Sequence, residues 1–474
     1  EISSSDWSSD VCSSDLPPFL PTISSLHDEV KRIQTRPLTK EEIDSLVTNH
    51  NTSTDQTWNN VRVMTNENAS IDCECIRGCL FMDSVIISRQ NGFCSCPSNI
   101  TMPCGIVNTV LKNVTIYPNC CIFQNTLLEN SVVLSGSIVM GCGRISCQNG
   151  TMYGNGTVSN MGNETGGIQI TLVADLKYND LKGVVQSGQY EYPALNDYLK
   201  AVRGNVNFIG PNSLIENCPL LHSVFIGSHA HILNSTLQNC CVLSCEKIQS
   251  KVWNGNVENS ILQWGCSFES GSNCSDSMLC EHTDTSCNAK IVNSIIAPNT
   301  GVSSGECNSS LVGPFIGFHH NSVLISSLWY EGKGNIGYGA NIGSNHTGRL
   351  PDQESIPGEG VFFGLGCNIK YPCNLLHSPY SIVASGVTML PERVDMPFSL
   401  INKPTHNHES ISPAFNEIFP AWVLYSNYYM IIRNEDKFLT RNKSKRNTIE
   451  NLILRPDIVA MIAHARAVLS FSPQ

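Results

Sequence analysis

A chain of 474 residues has room for two or three globular domains, or for one elongated solenoid with additions. Only 15% of its residues are Asp, Glu, Lys or Arg, against roughly 25% in ordinary globular proteins; Asn, Ser, Gly and Cys fill the difference, which favours tight turns and stacked ladders over amphipathic surface helices. The formal net charge of −11 argues against a body built to bind nucleic acid, and no stretch approaches the ~18 consecutive apolar residues of a membrane span.

Residues 1–16 carry Ser-Ser-Asp three times and end in Ser13-Ser14-Asp15-Leu16. They read as a translated sequencing-library adapter, in which TCT TCC GAT CTN gives Ser-Ser-Asp-Leu, and are set aside as an artefact. The chain opens at Glu1 without Met, so the natural N-terminus and any targeting signal are expected to be missing. Residues 17–60 form a helical lead-in, in which Thr39 caps a helix and Glu42 stands three residues on.

Cysteine is abundant at 22, with one cluster at Cys73, Cys75, Cys79, Cys94, Cys96 and Cys104. On a strand, C-x-C points both sulfurs to one face, so Cys73/Cys75 and Cys94/Cys96 could offer four thiolates to zinc. The spacing is not that of a zinc ribbon, and free Cys is among the most buried residue types, so these read as small core hydrophobes and no metal is assigned. Disulfides need an oxidising compartment, which nothing establishes, and a cytoplasmic location is expected.

The decisive pattern is a repeat. Asn followed by a small residue and then aliphatics occurs at Asn217, Asn234, Asn259, Asn293 and Asn308, with Asp276 in the same frame, at intervals of 17, 25, 17, 17 and 15 residues; Asn113 to Asn130 is again 17. Three hexapeptides make a coil of about 18 residues, so a slightly shortened coil with one loop insertion near 247–255 accounts for the series. A six-residue step runs within the coils, as from Ile209 to Ile215, Ile226 to Ile232, Val312 to Phe318 to Leu324, and Ile336 to Ile342. That step fits neither a 3.6-residue helical period nor long alternating strands. It predicts a mainly β fold, a single-stranded parallel left-handed β-helix over 61–403, each short strand sending one aliphatic inward and Asn stacking into ladders at the corners.

Residues 140–200 interrupt the repeat with a Gly-rich, hairpin-like stretch and a helix near Tyr192–Leu199. Residues 404–474 turn helical and are expected to be truncated. The basic run Lys437, Arg441, Lys443, Lys445 and Arg446 reads as a solvated helix face, and Trp264 and Trp329 as packing residues at coil edges.

The strings Gly337-Tyr338-Gly339-Ala340-Asn341-Ile342-Gly343, Pro357-Gly358-Glu359-Gly360, Phe362-Phe363-Gly364-Leu365-Gly366, Gly313-Pro314-Phe315-Ile316-Gly317 and Pro420-Ala421-Trp422-Val423 resemble an uncharacterised family. That family is catalogued as a domain of unknown function within the trimeric hexapeptide-repeat superfamily typified by UDP-N-acetylglucosamine O-acyltransferase. The resemblance runs from about Pro37 to the end. It implies a homotrimer with sites between subunits and a frequent, though not universal, acyltransferase activity.

The polar cluster near the last coils is where chemistry is expected. His346 follows the inward Ile342 and falls at a corner, where it could take a proton from a hydroxyl or amine attacking a thioester. Asp352 and Glu354 are candidates to orient its ring, completing the catalytic set. Asn345, Arg349, His319, His320, Glu359 and Lys370 are the expected substrate-binding residues, Arg349 or Lys370 holding a phosphate. The expected reaction is acyl transfer to a sugar or sugar nucleotide from acyl-CoA or another acyl thioester, with no permanently bound cofactor. The alternative is a noncatalytic β-solenoid scaffold. A zinc hydrase is disfavoured, since the histidines at 229, 231, 319, 320 and 346 lack a His-x4-His pair.

Overall fold

The computed structural model describes residues 16–65, 70–95, 101–343, 354–407 and 409–471. They wind into a parallel β-solenoid of about 17 turns with helices at the C-terminal end. Three ladders of short parallel strands run along it. Leu214–Glu216 pairs with His231–Leu233 on the first side. Leu220–Ile226 pairs with Thr236–Val242 on the second and third sides, bending between them at Ser223, whose φ is 58°.

The inward residues account for the short step. Ile209, Ile215, Ile226, Ile232, Val312, Phe318, Leu324, Ile336 and Ile342 all lie in one continuous buried core. Removing such apolar surface from water, roughly 25 cal/mol per Å², is what holds successive turns together.

The corners explain most of the asparagines, with two corrections. Asn308 ends the strand Glu306–Asn308, and Ser309, with φ 47°, turns the corner after it. The apparent 25-residue gap between Asn234 and Asn259 is a change of corner. The Asn234 amide donates to Asn254 Oδ1 at 3.2 Å, twenty residues on, and the Asn239 amide donates to Asn259 Oδ1 at 3.0 Å, also twenty on. Asn217, Asn234 and Asn254 therefore turn the first corner, while Asn239, Asn259, Asp276 and Asn293 turn the second, all with φ between 47° and 54°. Asn and Asp enter this left-handed region more readily than other side-chain-bearing residues. The turn that carries the loop insertion is only three residues longer than its 17-residue neighbours.

In the frame Asn259-Ser260-Ile261-Leu262 each position has its own duty. Asn259 turns the corner and donates to Asp276 at 3.1 Å. The Ser260 hydroxyl donates to Glu258 O at 2.6 Å and accepts the Ser277 amide at 3.1 Å. Ser277, Ser294 and Ser310 repeat that step, so buried corner amides find hydroxyl partners. Leu262 points into the core, and Ile261 points outward yet is buried too.

That outward burial is the reason for the insertion. Phe208, Phe225, Cys241, Ile261, Met278, Ile295, Leu311 and Leu328 form an apolar column on the outside of the third side. It is covered by the helix Phe19–Lys31 and by inserted residues including Tyr153, Met161, Leu172, Tyr178, Tyr198 and Val202. The insertion leaves the ladders unbroken: Ile138 pairs directly with Leu214, and Arg144 with Leu220. It contains an antiparallel hairpin, Val158–Met161 with Ile168–Thr171, and the helix Leu195–Val202. In the lead-in, Thr39 and Glu42 close both bonds of the capping box of the helix Lys40–Thr48.

At the far end Glu417–Phe419 pairs antiparallel with Leu400–Asn402 and ends that ladder. The helices Trp422–Ser426, Tyr429–Thr440 and Pro456–Phe471 follow. Val423, Ile431, Phe438, Ile453 and Ile458 pack on Phe315, Tyr380 and Phe398, which line one corner of the solenoid. No helix among the described residues is long and apolar enough to cross a membrane.

Candidate functional site

The solenoid distributes the residues expected from the sequence among different corners. His319 and His320 are exposed at the first corner, after the strand Gly317–Phe318. Lys370 and the exposed Glu354 flank the second, after Asn368–Ile369 and before Ser355–Ile356 respectively. Glu359 stands at the third. Asn345, His346, Arg349 and Asp352 lie outside the described residues.

Glu359 is buried and fully engaged. Its Oε1 accepts from Lys333 Nζ at 2.7 Å, Tyr380 Oη at 2.7 Å and Arg455 Nη1 at 2.9 Å, and its Oε2 accepts from Arg455 Nη2. Burial alone would raise its pKa; Arg455 and Lys333 outweigh that and hold it below the usual carboxylate range. A second buried carboxylate, Glu281, accepts from the Lys445 amide at 3.0 Å, the Arg446 amide at 3.1 Å and Asn447 Nδ2 at 2.8 Å. Arg446 lies 4.8 Å over the Trp264 ring and donates to Asp175 O at 2.7 Å. The basic run is thus not one solvated helix face. Helix Tyr429–Thr440 ends before most of it, and Arg446 belongs to a strap fastened to the solenoid.

Lys333 also lines a cleft of about 640 Å³, walled on one side by Asn335 and Phe362 of the first face and on the other by helix Tyr429–Thr440. Arg433, Lys437 and Arg441, spaced four residues apart on the helix surface, all line it. Among the described residues that line it, Asp436 is the only carboxylate. The Lys437 pKa is lowered, first by burial and then by Arg441 and Arg433. At the rim, His319 Nε2 lies 2.7 Å from Asn335 Oδ1, a contact that orients the exposed ring. Sequence reasoning singled out His319, Lys437 and Arg441 but not Arg433 or Asn335. The only signal for Arg433 was its four-residue spacing from Lys437, and Asn335 looks like any other solenoid asparagine.

Fold and cleft together define a β-solenoid protein with a cationic recess under its C-terminal helices. The chain belongs to the family described as Domain of unknown function (DUF4954), whose model matches residues 35–453. It is also similar to an uncharacterized protein of Treponema pallidum (strain Nichols), 25% identical over 457 residues, which cover 92% of this chain and 61% of that one. The chain thus spans about three-fifths of the length of that relative. No solved structure matches it.

Proposed function

We propose that the chain is a transferase of the hexapeptide-repeat, left-handed β-helix class, moving an acyl group from a thioester donor such as acyl-CoA to a sugar or sugar nucleotide. The observation that carries this reading is the convergence of Arg433, Lys437 and Arg441 on one cleft in a chain whose net charge is −11. These three cations, beside a fourth, Lys333, that is already paired with Glu359, suit the diphosphate shared by coenzyme A and sugar nucleotides, since charge-assisted contacts are the strong ones. His319 is the general base in this reading: its imidazole takes the acceptor's proton as the hydroxyl attacks the thioester carbonyl, and returns that proton to the coenzyme A thiolate released when the C–S bond breaks. His346 is the alternative base. A homotrimer completes the proposal and follows from the superfamily resemblance alone.

Isothermal titration of the full chain with coenzyme A and with UDP-N-acetylglucosamine tests it. At least one ligand is expected to bind with a salt-dependent affinity that falls about 10-fold or more in Lys437→Ala, the worth of one charged contact. His319→Ala should bind equally well but lose transfer. Absence of binding by either ligand overturns the reading in favour of a noncatalytic scaffold. That second reading has its own support in the exposed apolar residues Tyr425, Tyr429, Ile432 and Leu439 on the same helices.

A further inference from the structure

Most cysteines serve the core. Cys79, Cys120, Cys240 and Cys266 sit inside the solenoid, each thiol directed at a carbonyl of a neighbouring turn. The disfavoured alternative of paired C-x-C thiolates on strands does not form at its first half, because Cys73–Cys75 is a 3-10 turn, and Cys73 points to Glu42 O. Of the second pair, Cys96 lies outside the described residues.

Three other thiols behave differently. Cys94 belongs to the strand Phe93–Ser95 of a small antiparallel hairpin, Cys104 follows the return strand Thr101–Pro103, and Cys121 is on the solenoid strand Cys121–Phe123 beneath. All three are buried, in a satellite cluster with Ile138 and Leu214 on the outside of the first face, separate from the core. Their three Sγ atoms lie within 4.8 Å of one another, and Cys94 Sγ is 3.5 Å from Cys104 Sγ. A Zn–S distance of ~2.3 Å puts thiolates of a tetrahedral zinc site roughly 3.8 Å apart, whereas a disulfide needs about 2.05 Å. The spacing is that of ligands around one ion.

We infer that Cys94, Cys104 and Cys121 form a binding site for a single thiophilic metal ion, Zn²⁺ in the first instance, which pins the hairpin to the first face of the solenoid. Soft thiolates select zinc or copper(I) over hard cations. Each thiol gives up its proton to solvent as its Sγ–metal bond forms, with no change of oxidation state. The fourth position falls to water or to a movement of Cys75, which lies outside the group of three. Cys75 immediately precedes Ile76, which pairs with Ile106, so it stands one turn before Gly105, and Gly105 pairs with Cys121. A Cβ on Gly105 would lie 2.5 Å from the Cys75 carbonyl oxygen, so the close backbone approach accounts for glycine there. The site is also reachable, because Cys94 lines a groove of about 720 Å³ that holds His229 and His231.

The test uses the full chain, reduced and stripped of metal. Titration with Co²⁺ should give one equivalent of binding with an intense thiolate-to-cobalt charge-transfer band, and Zn²⁺ should displace it. Cys104→Ser and Cys121→Ser should each lose the band, while Cys307→Ser, a core cysteine, should keep it. If either site variant fails to fold, the wild-type cobalt spectrum still decides. No charge-transfer band in the folded, reduced wild type overturns the inference, as does recovery of Cys94 and Cys104 as a disulfide under reducing conditions.

Discussion

Arg455 and Glu359, ninety-six residues apart in sequence, meet in a two-pronged ion pair that also takes in Lys333 and Tyr380. Glu359 sits on a solenoid corner, and Arg455 immediately precedes the last helix, Pro456–Phe471. The pair is therefore a lock between the C-terminal helices and the solenoid, and its third member, Lys333, lines the cationic cleft.

Glu359→Ala leaves Lys333 buried without its carboxylate. Removing one partner of a buried pair typically destabilises by about 3–5 kcal/mol. Urea unfolding should show that loss, and limited proteolysis should release residues after Arg455 first. Unchanged stability would mean that the lock is ornamental.

His282 gives the fold a specific acid sensitivity. Its ring packs over Gly265, and burial pushes its pKa down to about 4, with Glu281 opposing and Lys443 and Lys445 assisting. A histidine depressed below its unfolded value of ~6.5 leaves stability intact above that pH and erodes it as pH falls from ~6.5 towards 4, by up to roughly 3 kcal/mol. Glu359, also depressed, acts lower: its contribution is present above the unfolded carboxylate value of ~4.3 and lost as pH falls through its folded one. His282→Gln should flatten the stability curve between pH 6.5 and 4 and leave the more acidic limb in place. An unaltered slope in that variant would contradict the assignment.

Gly227 tests the closeness of successive turns. A Cβ there would lie 2.5 Å from Ser244 N and 2.7 Å from Ser244 O, both backbone atoms of the next coil. Gly227→Ala should lower stability by about 1–3 kcal/mol. Gly301→Ala, with nothing within 4 Å of the added methyl, should stay within ~0.5 kcal/mol. Equal effects in a thermal melt would show that the coils are looser than described.

The architecture was legible because one physical requirement recurs in every turn. Ile215, Ile232 and Val312 had to be apolar to fill the core, and Asn113 and Asn130 had to accept φ near +50° while bonding to each other across 17 residues. Which corner an asparagine turns was not legible, since Asn234 and Asn259 present the same local string on different edges. The outward column of Ile261, Met278 and Ile295 was masked by standing next to inward Leu262, Leu279 and Ile296. The site was least legible. Glu359 looks like a free acid in sequence, and only the return of Arg455 from 96 residues away reveals its ion pair. Arg433, Lys437 and Asn335 meet across tertiary contacts that leave no periodic trace.

Amide hydrogen exchange of the full chain, with and without saturating coenzyme A, addresses the proposed cleft most directly. Slower exchange confined to helix Tyr429–Thr440 and to residues around Asn335 is the predicted result, lost in Arg433→Glu and Lys437→Glu variants. Protection elsewhere on the solenoid, or none at a concentration where binding is saturated, would contradict a phosphate-binding recess beneath the C-terminal helices.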